Sequence, residues 1–314
     1  MFNKFSKIIL AGGAGLVGQN LVVHLTEKGY GQLVVLDKHR SNLAILQRLW
    51  PHIICEYADL SQPGDWQQHF IGADAVVMLQ AQIGGNDYQA FLHNNLESTQ
   101  LILNYIKIHH IPYLIHVSSS VVNSVISDYY SQTKTEQERM VLASGIPCVV
   151  LRPTLMFGWF DRKHLGWLSR FMKKIPIFPI PGQGHYLRQP LYVGDFCQII
   201  INCLENCQIG SMYNISGQEH INYIDMIRTI KKTIQARALI IKIPYHLFYI
   251  LLKVWNLFDR NPPFTAKQLQ ALVANDEFEV IDWPAIFNVK ATPFMQAIDE
   301  TFNNPLYSKI TLEF

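Results

Sequence analysis

The sequence has no marked excess of charge of either sign, no even set of cysteines and no internal repeat. Its 314 residues carry 26 Lys and Arg against 24 Asp and Glu, a net charge of +2. A balance this close gives no overall electrostatic reason to expect nucleic acid or an acidic membrane as a partner. The five cysteines are scattered without metal-ligand spacing, so the sequence predicts reduced thiols, a cytoplasmic location and no bound metal.

Long hydrophobic runs are also missing, which limits the contact with membranes that can be expected. The first residues, MFNKFSKIILAGG, hold a short apolar run that glycines interrupt, so we expect neither a signal peptide nor a transmembrane segment there. The most apolar segment, YHLFYILLKVWNLF (245–258), is too short to cross a bilayer and contains Lys253. We expect an amphipathic helix that is buried or faces a partner, with peripheral membrane contact as the alternative.

The clearest motif near the start of the chain is a strand, a glycine-rich turn and a helix. Residues Ile8 to Ala11 are apolar and β-prone, and a helical pattern begins at Leu16 and Val17. Glycines recur here every three residues: Gly12, Gly15 and Gly18. Such glycines permit a tight turn, close approach of a pyrophosphate and close packing of helix on strand, and the helix N-terminus offers N–H groups to phosphate. The pattern predicts a dinucleotide site.

The second strand, QLVVLD, ends at Asp37, about 20 residues past the glycines, as in dinucleotide-binding folds. A carboxylate at this point accepts hydrogen bonds from the adenosine ribose and repels a 2′-phosphate, which favours NAD over NADP. Lys38, His39 and Arg40 follow immediately and leave NADP as the less favoured alternative.

Short apolar runs alternate with helical patterns through the first half of the chain. The further runs are HIICEYADL, ADAVVMLQAQ, IPYLIHVSSS and GIPCVVLRPT. This series predicts an α/β fold, a Rossmann-type doubly wound parallel sheet, in which ligands bind beyond the carboxyl ends of the strands. Asp59, Ala81 and Ser118 to Ser120 come at such ends.

The second half opens with a segment rich in proline, glycine, aromatics and cations, residues 159–192. It is either a solvated basic face or part of a substrate lobe that directs cations to a diphosphate. The next helical pattern, VGDFCQIIINCLEN, is expected to begin with Asp195 as its N-cap. The predicted domains are a Rossmann domain, 1–157, on which 190–206 packs back, and a smaller, mostly helical, discontinuous substrate lobe, 158–314.

Two tyrosine–lysine pairs have the spacing of neighbours on a helix: Tyr130 with Lys134, and Tyr249 with Lys253. A tyrosine has a pKa near 10, so it needs a nearby positive charge to act as a base at neutral pH. The first pair follows closely on the strand end that contains Ser119, whereas the second is far from any glycine-rich turn. We therefore predict that the first pair is catalytic and the second structural.

These motifs occur in an order that resembles the extended short-chain dehydrogenase/reductases, the NAD-dependent epimerase/dehydratase group. The resemblance covers nearly the whole chain. It rests on the three glycines, the strand end at Asp37, ADL (58–60), NNLEST (94–99), HVSSS (116–120), Tyr130 with Lys134, LRPTLMFG (151–158), GQGHYLRQPLYVGD (182–195) and YNISGQEHINY (213–223). It implies the same fold and a nucleoside-diphosphate sugar as substrate.

The resemblance also implies a role for each matching residue. Asp59 and Leu60 would flank the adenine, and Ser119 takes the place of the catalytic Ser or Thr. Asn94 and Asn95 would lie near the substrate and the nicotinamide ribose. Further contacts are expected to the cofactor from Ala81, Lys134 and Pro153, and to the substrate from Ser120, His164 and Arg188, which holds the place of a diphosphate-binding arginine.

In this scheme Tyr130 takes the proton of a substrate hydroxyl as hydride leaves the same carbon, and Ser119 binds the reacting oxygen. Lys134 binds the nicotinamide ribose and lowers the pKa of the phenol toward 7. An ammonium about 4 Å away in a partly shielded site would supply roughly the 4 kcal/mol that this shift requires.

The predicted function is NAD-dependent chemistry on a nucleotide sugar, with epimerisation at a secondary alcohol first among the reactions. A 4,6-dehydratase would need an acidic pair after the Ser or Thr, where this chain has Ser120 and Val121. The loop from Val121 to Tyr129 is short and resembles atypical members of the superfamily. Two alternatives are a non-catalytic NAD(P)-binding structural or assembly protein and an NADPH-dependent reductase of a non-sugar carbonyl. A homodimer is compatible with all three.

Overall fold

Seven parallel strands form the central sheet of the protein, which the computed structural model describes over residues 2–124, 128–258, 269, 272–273 and 279–313. All strands of the described residues, in chain order, are β1 (Ile8–Ala11), β2 (Leu33–Asp37), β3 (Ile54–Tyr57), β4 (Ala75–Met78), β5 (Tyr113–Val117), β6 (Cys148–Pro153), β7 (Met156–Phe157), β8 (Ile177–Pro181), β9 (Leu187–Arg188), β10 (Leu191–Tyr192), β11 (Met212–Ile215), β12 (Ile221–Asn222) and β13 (Leu239–Ile243). Seven of them form the central sheet, in the order β11-β6-β5-β4-β1-β2-β3. The order reverses beside β1, and this switch point is where doubly wound sheets bind ligands.

Helices cover both faces of the sheet and build the second half of the chain. They are α1 (Leu16–Glu27), α2 (Arg40–Leu49), α3 (Tyr88–Phe91), α4 (Ser98–Ile108), α5 (Tyr129–Ala143), α6 (Leu165–Lys174), α7 (Val193–Asn206), α8 (Tyr223–Thr233), α9 (Tyr245–Phe258), α10 (Trp283–Phe287) and α11 (Phe294–Asn303). A π-helical stretch, Leu92–Glu97, joins α3 to α4.

The strands β1, β2, β4 and β5 are buried along their whole length, because each face of the sheet lies against its own hydrophobic core. One core contains side chains of α1, α7 and α10, and the other contains side chains of α4 and α5. Strands covered on both faces must be apolar throughout, which explains why they read as continuous apolar runs. The predicted fold class is confirmed.

The edge strand β11 shows where the sequence pattern was insufficient. It is formed by MYNI (212–215), which is half polar and partly exposed, and it pairs with β6. No apolar run marks it, so the sequence predicted the other six strands of the sheet and missed this one.

A third core lies in the second half and joins α6, α8, α11 and β8. Helix α7, in contrast, belongs to the core of the sheet. These separate cores support the division that we propose, in which most of residues 158–314 form a substrate lobe and α7 packs back on the Rossmann domain.

The predicted N-cap role of Asp195 is wrong. Helix α7 begins at Val193, with Tyr192 as its N-cap, so Asp195 lies inside the first turn. Its Oδ1 accepts a hydrogen bond from the Thr292 hydroxyl (2.6 Å) and its Oδ2 accepts one from the Thr292 N–H (2.9 Å). The carboxylate therefore holds a distant segment against α7, a contact that no local pattern could reveal.

Candidate active site

The glycine-rich turn joins β1 to α1 at the switch point of the sheet. Gly12 has φ +76°, and a Cβ there would lie 2.5 Å from the backbone of Gln80. A Cβ on Gly18 would lie 2.2 Å from the carbonyl oxygen of Gly13. Gly13 itself has no room for a side chain, since its Cβ would lie 2.8 Å from that of Leu10. The fold therefore requires glycine at all three positions, and the three-residue spacing did not single out Gly13.

Gly15 differs from these glycines because the protein leaves space around it. It is the extended N-cap residue of α1, with φ −80°, and a Cβ would come no closer than 3.8 Å to the Gly12 carbonyl oxygen. No side chain in the described part of the protein caps α1 at this end, and its first turn, from Leu16 and Val17 on, has no acidic residue. The exposed N–H groups and the open space beside Gly15 fit the pyrophosphate of a dinucleotide.

Asp37 ends β2 and holds the glycine-rich turn in place. Its Oδ2 accepts a hydrogen bond from the Ala14 N–H, and its Oδ1 accepts one from the His39 N–H, both at 3.0 Å. The side chain is buried, and these two bonds fix its position beside the turn. This is the position expected for a group that binds ribose hydroxyls and repels a 2′-phosphate.

Two of the cations that follow Asp37 bind elsewhere in the protein. The Lys38 ammonium donates a hydrogen bond of 2.6 Å to the Asn94 side-chain oxygen. The Arg40 guanidinium lies 3.7 Å from the centre of the Tyr57 ring. Both contacts occupy cations that would otherwise be available to a 2′-phosphate, and they favour NAD.

Three predicted cofactor residues lie past the ends of β3 and β4: Asp59 and Leu60, expected beside the adenine, and Ala81. Asp59 accepts hydrogen bonds from the Ser61 N–H (3.0 Å) and hydroxyl (2.7 Å). Burial raises the pKa of Asp59, but the bonds from Ser61 and the charge of Lys38 outweigh it, so the pKa is lowered. The Leu60 side chain is buried in the core beside α4 and α5. Ala81 is half-buried after β4.

Asn95 is fully buried and ties the loop after β4 to α5. Its side-chain oxygen accepts a hydrogen bond of 2.7 Å from the Gln82 N–H, and its amide donates one of 2.9 Å to the Thr133 hydroxyl. The neighbouring Asn94 donates to the Gln82 side chain at 3.0 Å. These bonds make Asn95 a positioning residue for α5, and its contact with a cofactor ribose stays a prediction.

The structure brings Ser119 and Tyr130 together, so that the Ser119 hydroxyl lowers the pKa of the Tyr130 phenol. Ser119 follows β5 directly, and its Oγ accepts a bond of 3.3 Å from the Val121 N–H. Tyr130 lies in the first turn of α5, which Asp128 caps by accepting a bond of 2.7 Å from the Ser131 N–H. The pKa of Tyr130 lies above its ordinary value, because burial and the charge of Asp128 raise it by more than the Ser119 hydroxyl lowers it.

Lys134 does not act on Tyr130 as predicted. Its buried ammonium donates to the Val117 carbonyl (3.0 Å) and to the Gln137 side-chain oxygen (2.5 Å). The pKa of Lys134 is lowered to about 7, because burial lowers it by more than the charge of Glu138 raises it. The prediction of a lysine-lowered pKa for Tyr130 is wrong in this structure, because burial raises that pKa and the ammonium binds other groups.

A buried ion pair beneath Lys134 was missed by the sequence reasoning. Glu138 is paired through both oxygens with the Arg152 guanidinium, with 3.0 Å from Nε to Oε2, and it accepts a bond of 2.7 Å from the Ser118 hydroxyl. The pair joins α5 to the carboxyl ends of β5 and β6. A signal was present, since Glu138 follows Lys134 by one helical turn and Arg152 precedes Pro153 at the end of β6.

Ser120 and Pro153 lie at the ends of β5 and β6. Ser120 is buried and begins a 3-10 turn, Ser120–Asn123. Pro153 is buried and pairs with Ile215 of β11. Of the loop from Val121 to Tyr129, residues 125–127 lie outside the described part of the chain.

The two predicted substrate residues of the second half lie on different elements, Arg188 on β9 and His164 at the start of α6. The Arg188 guanidinium donates a bond of 2.7 Å to the Leu187 carbonyl and lies 5.3 Å from the centre of the Tyr186 ring. His164 precedes α6, and its N–H donates a bond of 2.9 Å to Asp161. Burial lowers the pKa of His164 although Asp161 raises it, so this side chain is a weak candidate for binding phosphate as a cation.

The second tyrosine–lysine pair lies on α9, away from the strand ends that carry the site. The Lys253 ammonium is 5.6 Å from the centre of the Tyr249 ring, a cation–π distance. Among the residues that the structure describes, α9 included, no helix combines the length and apolar character needed to cross a membrane.

Comparison with known proteins identifies one family for this arrangement. The model of the NAD dependent epimerase/dehydratase family matches residues 8–216. The dTDP-glucose 4,6-dehydratase of Streptomyces niveus is 25% identical over 271 residues, 72% of this chain and 77% of that protein. In structure, the UDP-glucuronic acid 4-epimerase of Bacillus cereus, solved with NAD, has a TM-score of 0.70 at 21% identity, covering 95% and 97% of the two chains. The UDP-glucose 4-epimerase of Thermotoga maritima has a TM-score of 0.72 at 15% identity, covering 94% and 97%.

Proposed function

This chain belongs to the NAD-dependent epimerase/dehydratase family, and we propose that it epimerises a secondary alcohol of a nucleoside-diphosphate sugar. The family consists of NAD-dependent enzymes that act on nucleotide sugars. Its members include dehydratases, which match this chain in sequence and in structure, and epimerases, which match it in structure. The choice between these reactions has to rest on the side chains beside Tyr130.

The observation that carries the proposal is that the Ser119 and Tyr130 side chains lie together at the carboxyl end of β5, close enough for Ser119 to lower the pKa of Tyr130. Two hydroxyl groups this close together can both reach one substrate oxygen. Ser119 would donate a hydrogen bond to that oxygen, and Tyr130 would take its proton and later return it. Ser119 also offsets part of the rise in the pKa of Tyr130 that burial causes. The positive charge of the nicotinamide ring in bound NAD⁺ would lower this pKa further.

The other site residues would hold NAD in a matching position. The turn around Gly15 and the N-terminus of α1 would bind the pyrophosphate, and Asp37 would bind the adenosine ribose. When bound, NAD⁺ supplies an acceptor for the hydride of the alcohol carbon and, once reduced, a donor that returns it to the other face. Lys134 would bind the nicotinamide ribose through its ammonium, which is already fixed by Val117 and Gln137.

Epimerisation is favoured over dehydration because the described site has no carboxyl group free to help eliminate water. Ser120 and Val121 follow Ser119 where an acidic pair would be needed. The nearest described carboxylates have other tasks: Asp128 caps α5 and Glu138 is paired with Arg152. An epimerase only has to remove a hydride from one carbon and a proton from the hydroxyl group on that carbon, and then return both.

The reaction type can be tested with UDP- and dTDP-sugars in deuterated water, followed by mass spectrometry of the products. We expect an isomer of unchanged mass, because an epimerase returns the hydride that it removed and solvent supplies only the exchangeable hydroxyl proton. A product that has lost one water and gained carbon-bound deuterium would identify a dehydratase and overturn the proposal.

Asp37 leads us to expect NAD to bind more tightly than NADP, by roughly tenfold or more, since a hydrogen bond to a charged group contributes about 1.5–3 kcal/mol. Asp37→Asn keeps a hydrogen-bond acceptor but removes the negative charge. It should bring the ratio of the NADP and NAD dissociation constants closer to one. Titration by calorimetry measures both, with Asp65→Asn, an exposed aspartate, as the matched control. Equal affinity of the parent for the two cofactors would contradict the expectation.

If Arg188 binds the diphosphate of the substrate, Arg188→Ala should weaken sugar-nucleotide binding by about 2 kcal/mol, roughly 30-fold, through loss of a charge-assisted bond. NAD binding should hardly change. Arg237→Ala removes an exposed arginine elsewhere in the second half and serves as the control. Unchanged affinity of Arg188→Ala for UDP- or dTDP-sugars would remove Arg188 from the site.

A further inference from the structure

Helix α9 carries aliphatic side chains on its outer face. Leu247, Ile250, Leu251 and Val254 are 50%, 57%, 50% and 46% exposed. Their spacing of three, four and seven residues places them in one stripe along the helix. Phe248, about 100° around the helix from Leu247, is buried against the protein. Packing against its own chain therefore explains the apolar character of Phe248 but not that of the exposed stripe.

The chain around this stripe has a charge pattern of its own. Residues 226–258 contain no Asp or Glu, in a sequence with 24 such residues overall. The same stretch contains six cations: Arg228, Lys231, Lys232, Arg237, Lys242 and Lys253. The near-neutral total of +2 therefore conceals a local concentration of positive charge, which bulk composition does not reveal.

The structure gathers these cations next to further exposed apolar side chains. A groove of about 780 Å³ between α8 and β13 is lined by Arg228, Lys231, Lys232 and Lys242 together with aliphatic residues. On β13, Leu239 and Ile241 are 63% and 41% exposed and share one face of the strand. Strand β13 leads through Pro244 directly into α9, so the basic groove and the apolar stripe belong to adjacent elements.

We propose that α8, β13 and α9, hereafter the α8–α9 surface, dock on a bilayer of anionic phospholipids. The stripe would enter the boundary between head groups and acyl chains, with α9 lying in the plane of the membrane. The cations of α8 and β13 would bind the phosphates of the head groups, and Lys253 is long enough to reach them from the helix. A helix of 14 residues cannot cross the hydrocarbon core, which needs about 20.

The dimensions and charge of the surface favour a membrane over a second copy of this chain. The apolar part of the surface is small, since it consists of four half-exposed side chains of α9 and two of β13, and four of the residues that line the adjoining groove are cations. Two copies meeting through this surface would also bring like charges together, at a cost in free energy. An anionic bilayer complements both features.

Co-sedimentation with vesicles tests the proposal. We expect the full-length protein to sediment with vesicles of phosphatidylcholine and phosphatidylglycerol and to stay in solution with vesicles of phosphatidylcholine alone. The variant Leu247→Ser/Ile250→Ser/Leu251→Ser should bind the anionic vesicles at least tenfold more weakly, because three apolar contacts are lost. The matched control, Ile108→Ser/Ile286→Ser/Met295→Ser, alters three exposed residues on other helices and should bind like the parent.

A second variant separates charge from apolar contact. Lys231→Gln/Lys232→Gln/Lys242→Gln should also weaken binding at least tenfold at low salt, and raising the salt should weaken the parent in the same direction. Lys107→Gln/Lys290→Gln/Lys309→Gln removes the same charge elsewhere and should have little effect. Circular dichroism confirms that each variant is folded.

Three results would overturn the proposal. The protein could fail to sediment with anionic vesicles, or it could bind neutral and anionic vesicles equally. Alternatively, analytical ultracentrifugation could show a dimer that the three serine substitutions dissociate, which would mean that a second copy covers the stripe.

Discussion

Tyr130→Phe is expected to lower turnover of the sugar nucleotide by roughly 10² to 10⁴-fold while NAD binding and the unfolding temperature stay close to those of the parent. The substitution removes only the phenolic hydroxyl. That hydroxyl lies beside Ser119 at the carboxyl end of β5, and Ser119 lowers its pKa. Steady-state kinetics on the substrate found by screening, together with NAD titration, measure both effects.

The chain supplies a matched control in Tyr249→Phe. Tyr249 also precedes a lysine by four residues on a helix, but its partner lies against its ring on α9. Turnover of this variant should stay within a few-fold of the parent. Full activity of Tyr130→Phe, or an equal loss in both variants, would contradict the catalytic assignment.

Lys134→Met extends the comparison to a residue with more than one task. The ammonium binds the Val117 carbonyl and Gln137 inside the protein, so its loss leaves two buried acceptors without a partner. We expect lower turnover, weaker NAD binding and lower stability together. A loss of stability with unchanged NAD affinity would make Lys134 a structural residue.

The sequence predicted the central features of the fold because the sheet is buried on both faces. Continuous apolar runs, strand ends and the glycine-rich turn are all local, and each appears where expected. The pairing of Ser119 with Tyr130 could also be anticipated, since both follow β5 closely in sequence. Strand β11 could not, because an edge strand has no need of a continuous apolar pattern.

The sequence could not predict which of several available partners a buried polar side chain would bind. Helical spacing puts Lys134 on the same side of α5 as Tyr130, but it does not say which acceptor the ammonium will choose. In the structure the nearby Val117 carbonyl and Gln137 take its hydrogen bonds. Asp195 likewise fitted an N-cap pattern but binds Thr292, almost a hundred residues away.

Two glycines of the glycine-rich turn are expected to serve different purposes, Gly18 for the fold and Gly15 for cofactor binding. Gly18→Ala should prevent folding or lower the free energy of unfolding by about 3 kcal/mol or more, because its Cβ would lie 2.2 Å from the Gly13 carbonyl oxygen. The new Cβ and the Gly13 carbonyl oxygen are both fixed by the backbone, so no side-chain rotation can relieve the contact. Thermal and denaturant unfolding measure the loss.

Gly15→Ala is expected to have the opposite effect, with a stable fold and NAD affinity reduced at least tenfold. The backbone of Gly15 has φ −80°, which alanine adopts readily, and the nearest protein atom to a new Cβ is 3.8 Å away. The methyl group would instead fill the space into which the pyrophosphate must fit. Gly31→Ala is the control, since a Cβ there meets no atom within 4 Å and both stability and NAD affinity should be unchanged. If Gly15→Ala binds NAD as the parent does, the pyrophosphate does not lie at this turn and the cofactor position must be revised.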